Sequence, residues 1–164
     1  ALKVTKSAPV FPKLIYQPET KVFDLDIRAG KITKLEAVPK SEKLYKLQID
    51  FSKFKKQAVA GLKPYFKKSE LLNKKFVFLT NLAPAKLAGI KSECMILAVE
   101  DKNKVDLLVP TGKIALEGYE SSPAKKLDLK DFANYKFKVR DGKVLCGDAV
   151  LSGVKSKFKK GRVV

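Results

Sequence analysis

Residues 51–68, FSKFKKQAVAGLKPYFKK, carry six lysines and no acid, with Phe51, Phe54, Tyr65 and Phe66 set among them. Ammonium groups meet phosphates and aromatic faces stack on bases, so this mixture suits a binder of looped or single-stranded nucleic acid. A small domain must also fill its own interior, and the aromatics are assigned there; the lysines are left either as phosphate contacts or as a solvated face. A second stretch, NLAPAKLAGIKSECM at 81–95, leaves one apolar run and enters another. In it Pro84 fixes a φ angle and removes a donor, and Gly89 can take a positive φ. Asn81, Lys86, Lys91 and Ser92 put polar groups on the connection, where functional groups concentrate. Spacing alone makes this a link between two strands.

Other chemistry is closed off by composition. The 164 residues contain no histidine, which excludes His-based acid–base catalysis and Ser-His-Asp or Cys-His nucleophile systems, and removes the usual zinc ligand. Two cysteines, Cys94 and Cys146, are too few for a disulfide framework or a metal cluster, and Cys94 lies in an apolar run as a buried thiol of a reducing compartment. No close pair of carboxylates has an apolar setting. The expectation is a non-enzymatic domain without catalytic residues, metal or cofactor. What dominates is charge: 35 Lys and Arg against 17 Asp and Glu leave +18 at pH 7, nearly all of it lysine. Such an excess repels itself and a polyanion relieves that repulsion, with nucleic acid the first candidate and an anionic membrane the lesser one.

No apolar stretch approaches the ~20 residues of a membrane helix, and no basic start leads into an apolar segment with a small-residue cleavage site. The chain opens on Ala1, which a piece of a longer chain or removal of an initiator Met would each produce.

The elements that must carry these groups read as strands. Residues 1–21, with Pro9, Pro12 and Pro18, form an extended arm or linker. Over 23–36, Leu25 and Ile27 alternate until Gly30 marks a bulge or bend. Tyr45, Leu47, Ile49 and Phe51 alternate with polar residues as a half-buried strand. Ala58–Leu62 is a third run, and a helical turn capped by Ser69 follows. Phe76–Leu79 and Cys94–Val99 are continuous apolar strands, and Val105–Val109 closes the set. Five or six short strands with one small helix between the third and fourth predict a small closed barrel. Residues 123–164 keep a local charge of +8 yet hold regular apolar anchors, with Asp141-Gly142 as a hairpin turn, so they form a structured extension.

Four blocks recur in order: Asp26-Ile27-Arg28-Ala29-Gly30-Lys31-Ile32; Pro39 to Leu44-Tyr45; Ala58-Val59-Ala60-Gly61-Leu62; and Asn81-Leu82-x-Pro84-Ala85-Lys86-Leu87-x-Gly89-x-x-Ser92-x-x-Met95. Over about 22–120 the chain resembles the tRNA-binding domain family, found free-standing and fused to aminoacyl-tRNA synthetases. Segment 123–164, with KVLCGDAVLSGVKSK, is similar to the extension of the endothelial monocyte-activating polypeptide II group. The resemblance implies an all-β fold, a five-stranded OB-fold barrel over 22–122, and a small C-terminal extension domain over 123–164. It implies tRNA as partner, in the cytoplasm, as an appendage of a methionyl-, lysyl- or tyrosyl-type synthetase or a multi-synthetase complex. By the same resemblance, Asn81, Lys86, Lys91, Ser92 and Met95 are expected to form the loop that meets tRNA, with Arg28 and Lys31 as flanking phosphate contacts. Family members often carry basic residues where this chain has Ala83 and Ala88, and Ser-Gln-Gly-Met where it has Ser92-Glu93-Cys94-Met95. The extension and the 53–68 lysines would make up that loss of local charge. It is expected to pack where a second subunit would sit, leaving a monomer. An extracellular cytokine-like polypeptide is the alternative, because RAGKIT at 28–33 resembles a segment implicated in that group; by itself this is a bent first strand. A chaperone-like peptide binder, as in a dimeric branch of the family, is the third possibility.

Overall fold

The computed structural model describes residues 22–124 and 126–164, so the arm expected over 1–21 lies outside the described residues. The chain is almost entirely strand, as the alternating patterns require. After β1 (Val22–Phe23) come β2 (Ile27–Ala37), β3 (Tyr45–Asp50) and β4 (Lys55–Ala60), an antiparallel meander. The helical turn α1 (Lys68–Leu71) leads to β5 (Lys75–Leu79), which returns to pair with β2. Next are β6 (Ala85–Leu87) and β7 (Ile90–Ser92), then β8 (Met95–Ile96), β9 (Ala98–Asp101), β10 (Lys104–Leu107), β11 (Val109–Leu116) and β12 (Glu120–Ser121). The rest of the chain adds α2 (Leu129–Ala133), β13 (Lys138–Arg140), β14 (Lys143–Cys146), β15 (Ala149–Lys155) and β16 (Lys160–Val163).

One sheet of five strands has the order β4-β3-β2-β5-β8. Its inner face is filled by Ile32, Leu47, Ile49, Phe51, Ala58, Phe76 and Phe78. The strip curls because Gly30 lets β3 side chains close over β2: a Cβ there would stand 2.5 Å from Ile49 Cγ2 and 2.6 Å from Phe51 Cε1. The bulge expected at Gly30 lies instead at Thr33, where the β2–β3 register slips between Ile32 and Lys34. Closure of the barrel uses side chains as well as backbone. Along the outer edge of β4, the Gln57 N–H donates to Glu93 Oε1, the Glu93 N–H to the Gln57 carbonyl, and the Val59 N–H to Ser92 Oγ. The all-β barrel expected from the sequence is what forms.

The second sheet has seven strands in the order β10-β9-β16-β13-β14-β15-β11. The strands after residue 137 lie between β9 and β11, and β16 pairs directly with β9. The Ala98 and Val164 backbones exchange both their hydrogen bonds. Phe132, Phe137, Val139, Val144 and Leu151 share one core with Phe23, Leu25, Val77, Leu79 and Val99. Tyr135 stacks flat on Phe137 at 5.5 Å and meets Phe23 edge-on. Its hydroxyl donates to Asp24 Oδ1 at 2.5 Å. Burial, together with this donation to the carboxylate, pushes the phenol up to about 12. Residues 123–164 therefore pack against the barrel through a common interior.

Local detail departs from the expectations in three places. The run Cys94–Val99 is broken into β8 and β9, because Leu97 still donates its N–H to the Val77 carbonyl of β5 while Ala98 turns to exchange hydrogen bonds with Val164 in the other sheet. The helical turn is capped two residues earlier than expected, with Lys67 rather than Ser69 as the capping position. Its N–H donates to Glu70 Oε1 at 2.8 Å, and Ser69 lies inside the turn. The same device opens α2, where the Asp128 N–H donates to Asp131 Oδ2; that helix was not expected from the sequence.

Candidate nucleic-acid interface

The connection at 81–95 is an antiparallel hairpin, β6–β7, set along the β4 edge. Ala88 and Gly89 at its tip both have positive φ, 53° and 78°. This pattern gives the two-residue turn whose twist matches the flanking strands. Gly89 accepts the conformation freely; Ala88 pays for its Cβ. The register sets Ala85 opposite Ser92, Lys86 opposite Lys91, and Leu87 opposite Ile90. Two exposed ammonium groups thus stand directly across the hairpin, an arrangement that costs stability in the absence of an anion.

The stem is built differently. Asn81 is buried, and its amide joins three segments: Nδ2 donates to the carbonyls of Asp24 and Ala124, while Oδ1 accepts the Asp26 N–H. Its own carbonyl accepts the Leu127 N–H. Ser92 is also buried; its Oγ accepts the Val59 N–H at 3.1 Å and donates to the Cys94 carbonyl at 3.2 Å. Glu93, an added anion in the loop, is held by the Gln57 N–H. Cys94 is buried, and burial pushes its thiol up to about 12, with Lys56 opposing weakly; it is no nucleophile near neutral pH.

Of the residues expected to meet a ligand, Lys31, Lys86 and Lys91 are exposed. Arg28 is half-buried: its Nε donates to Asp26 Oδ1 at 2.8 Å and its guanidinium lies 5.2 Å from the centre of the Phe54 ring. Met95 is half-buried and packs on the core. Asn81 and Ser92 are consumed by internal hydrogen bonds, so their side chains hold the hairpin in place.

Register reveals further cations that the sequence pattern left unassigned. Lys31 lies between Lys75 on β5 and Asp50 on β3, and Asp50 lies opposite Lys55 on β4. Beside this row, Lys34 faces Gln48, Gln48 Nε2 donates to Gln57 Oε1, and Gln57 Nε2 donates to the Lys91 carbonyl. The outward surface of β2–β3–β4 therefore runs through two glutamines to the hairpin. The polar half of each alternating strand was the available signal, once strand neighbours were known. Of segment 51–68, Phe51 is core and Phe54 lies beneath Arg28 and Lys56, while Tyr65 is half-exposed. Both ion pairs found among the described residues use arginine, Arg28–Asp26 and Arg162–Glu100, so no described lysine makes a close ion pair with a described carboxylate. No helix among the described residues is long and apolar enough to cross a membrane.

Known proteins share this plan. In structure, the chain is similar to the C-terminal domain of Plasmodium vivax p43, with a TM-score of 0.77 at 24% identity over 86% of this chain and 97% of that one. At that identity the likeness shows the fold. A MetRS related protein from Pyrococcus horikoshii matches at a TM-score of 0.50 and 32% identity, covering 62% of this chain and 87% of that one. In sequence, the methionine–tRNA ligase of Methanococcus maripaludis is 46% identical over 85 residues, which are 52% of this chain and 13% of that enzyme. The chain thus spans a small part of the curated relatives it matches. The model of a putative tRNA binding domain matches residues 27–117, more than half of the chain, and covers β2 through β11 with the hairpin included. This chain belongs to the tRNA-binding domain family.

Proposed function

We propose that the chain is a non-catalytic appendage of an aminoacyl-tRNA synthetase, of methionyl, lysyl or tyrosyl type, that binds tRNA by shape and phosphate contacts. The observation that carries this reading is the opposed pair Lys86 and Lys91 on an exposed hairpin, continuous with the cationic face of β2–β3–β4. Lys31, Lys86 and Lys91 contact phosphates. Arg28 and Met95 border them, and Asn81 and Ser92 hold the hairpin at its working angle. A tRNA displays phosphates and sugar hydroxyls more than base edges, so a rigid basic surface binds many tRNAs with little sequence preference. Tethered to a synthetase, the domain raises the local tRNA concentration. In this reading the extension covers sheet edges that a second subunit could otherwise pair with, and the chain is a monomer.

Titration of tRNA against the chain over a range of salt tests the reading. If five or six phosphates are neutralised, log K against log salt falls with a slope of about −4 to −5. Affinity at low salt no better than that of a neutral control protein would refute it. The cytokine-like alternative gains no support: Arg28–Thr33 is an inner strand of the barrel, paired with β5 and β3, and the matching family model and curated relatives are a tRNA binding domain and methionine–tRNA ligases.

A further inference from the structure

The seven-stranded sheet has its own concentration of cations. β13 lies between β14 and β16, and the register sets Arg140 opposite Lys143 on one side and opposite Lys160 on the other. Three cations therefore form one row across three neighbouring strands. Two residues along, Lys138 lies opposite Arg162. Val139, Val144 and Val163 are buried on the other face, so all five cations share the outward one. Arg162 is neutralised by Glu100 at 2.9 Å. Lys138, Arg140, Lys143 and Lys160 have no ion pair with any described carboxylate. Beside the row opens a cleft of about 750 Å³, edged by Lys104, Lys157 and Lys159, with Asp101 and Asp141 as its carboxylates.

Like charges set directly opposite each other in a sheet are destabilising, and here the penalty is incurred twice in one row. Neighbouring strands are about 4.8 Å apart, so the row spans roughly 10 Å. An anion bridging it would repay the repulsion. The guanidinium at its centre forks onto phosphate oxygens in a way that an ammonium cannot. Apolar residues on this outward face are few, Leu145 opposite Lys138 and Val164 at the end of β16, so a phosphate backbone suits it better than a membrane surface, which would ask for several inserted apolar side chains.

We propose that the row Lys143–Arg140–Lys160, with Lys138 beside it, is a second phosphate-binding face that holds the RNA backbone through contacts separate from those of the hairpin. It rests on the tRNA reading above and adds a footprint on the extension. The test uses the full chain, unfractionated tRNA and two variants: Arg140→Gln/Lys143→Gln/Lys160→Gln, and Lys86→Gln/Lys91→Gln. The triple variant is expected to bind about 10- to 100-fold more weakly at low salt, with its salt slope shallower by about 2 to 3. It is also expected to melt at a higher temperature, because repulsion is relieved; a purely structural role would lower melting instead. Combining the two sets should add their losses in slope. Wild-type affinity and slope in the triple variant would overturn the second face while leaving tRNA binding by the hairpin intact. A combined variant no worse than the hairpin variant alone would overturn the separateness of the contacts. Failure of the unmodified chain to bind tRNA would fail the earlier reading. If that chain instead bound phosphatidylserine vesicles and the triple variant did not, the face would be a membrane contact and the RNA assignment would be overturned.

Discussion

Within one hairpin, two kinds of polar residue have opposite fates. At the stem, Asn81 and Ser92 are buried and every hydrogen bond they make is internal. Toward the tip, Lys86 and Lys91 are exposed, opposed and without a described counter-charge. In a linear pattern the four look alike, as polar groups on a connection. The difference shows that building a protruding recognition element needs buried polar groups to fix its root as much as charged groups to meet its target. The stem is optimised for stability and the tip is left frustrated.

Asn81→Asp should break that contrast most severely. It replaces a donor aimed at two carbonyls by a carboxylate oxygen, and a buried charge facing acceptors costs about 3–5 kcal/mol. Thermal melting should drop by roughly 10 °C, and the temperature at which tRNA binding is lost should fall with it. Lys86→Glu/Lys91→Glu should act only at the tip: affinity for tRNA falls about 100-fold at low salt while the melting temperature holds or rises. A loss of fold there would mean that the tip is structural after all. Ser92→Ala orphans the Val59 N–H, for about 1–2 kcal/mol by denaturant titration, and leaves the salt slope of tRNA binding unchanged. The smallest effect is expected at the turn, where Ala88→Gly removes a Cβ from a left-handed residue and should stabilise the hairpin by about 0.5–1 kcal/mol, seen as slower amide exchange across β6–β7.

Much of the barrel was legible in the sequence because its strands are buried on one face only. Tyr45, Leu47 and Ile49 alternate with polar neighbours, and the structure keeps every one of them inside. Asp141-Gly142 likewise turns as expected, with φ of 53° and 78°. What stayed hidden depends on long-range pairing. That Asn81 joins Asp24, Asp26 and Ala124 cannot be seen from a residue type, since those partners lie more than 40 positions away in the chain. Nor does spacing show that Arg140 sits between Lys143 and Lys160, because the second neighbour arrives only through the pairing of β13 with β16. Short α2 escaped notice because one helical turn carries too few apolar positions to set a period, although Asp128 and Asp131 had the spacing of a cap.

The insertion of β16 between β9 and β13 has a kinetic consequence. β9 cannot complete its pairing until a segment about 60 residues further along has arrived, so two distant parts of the chain must meet before the seven-stranded sheet is whole. Such nonlocal closure slows folding, and until it occurs the backbone groups of Ala98 and Glu100, which face β16 in the finished sheet, face water as a vacant template. During synthesis or refolding that interval, more than any weakness of the finished barrel, is when the chain is most exposed to pairing with another molecule of itself.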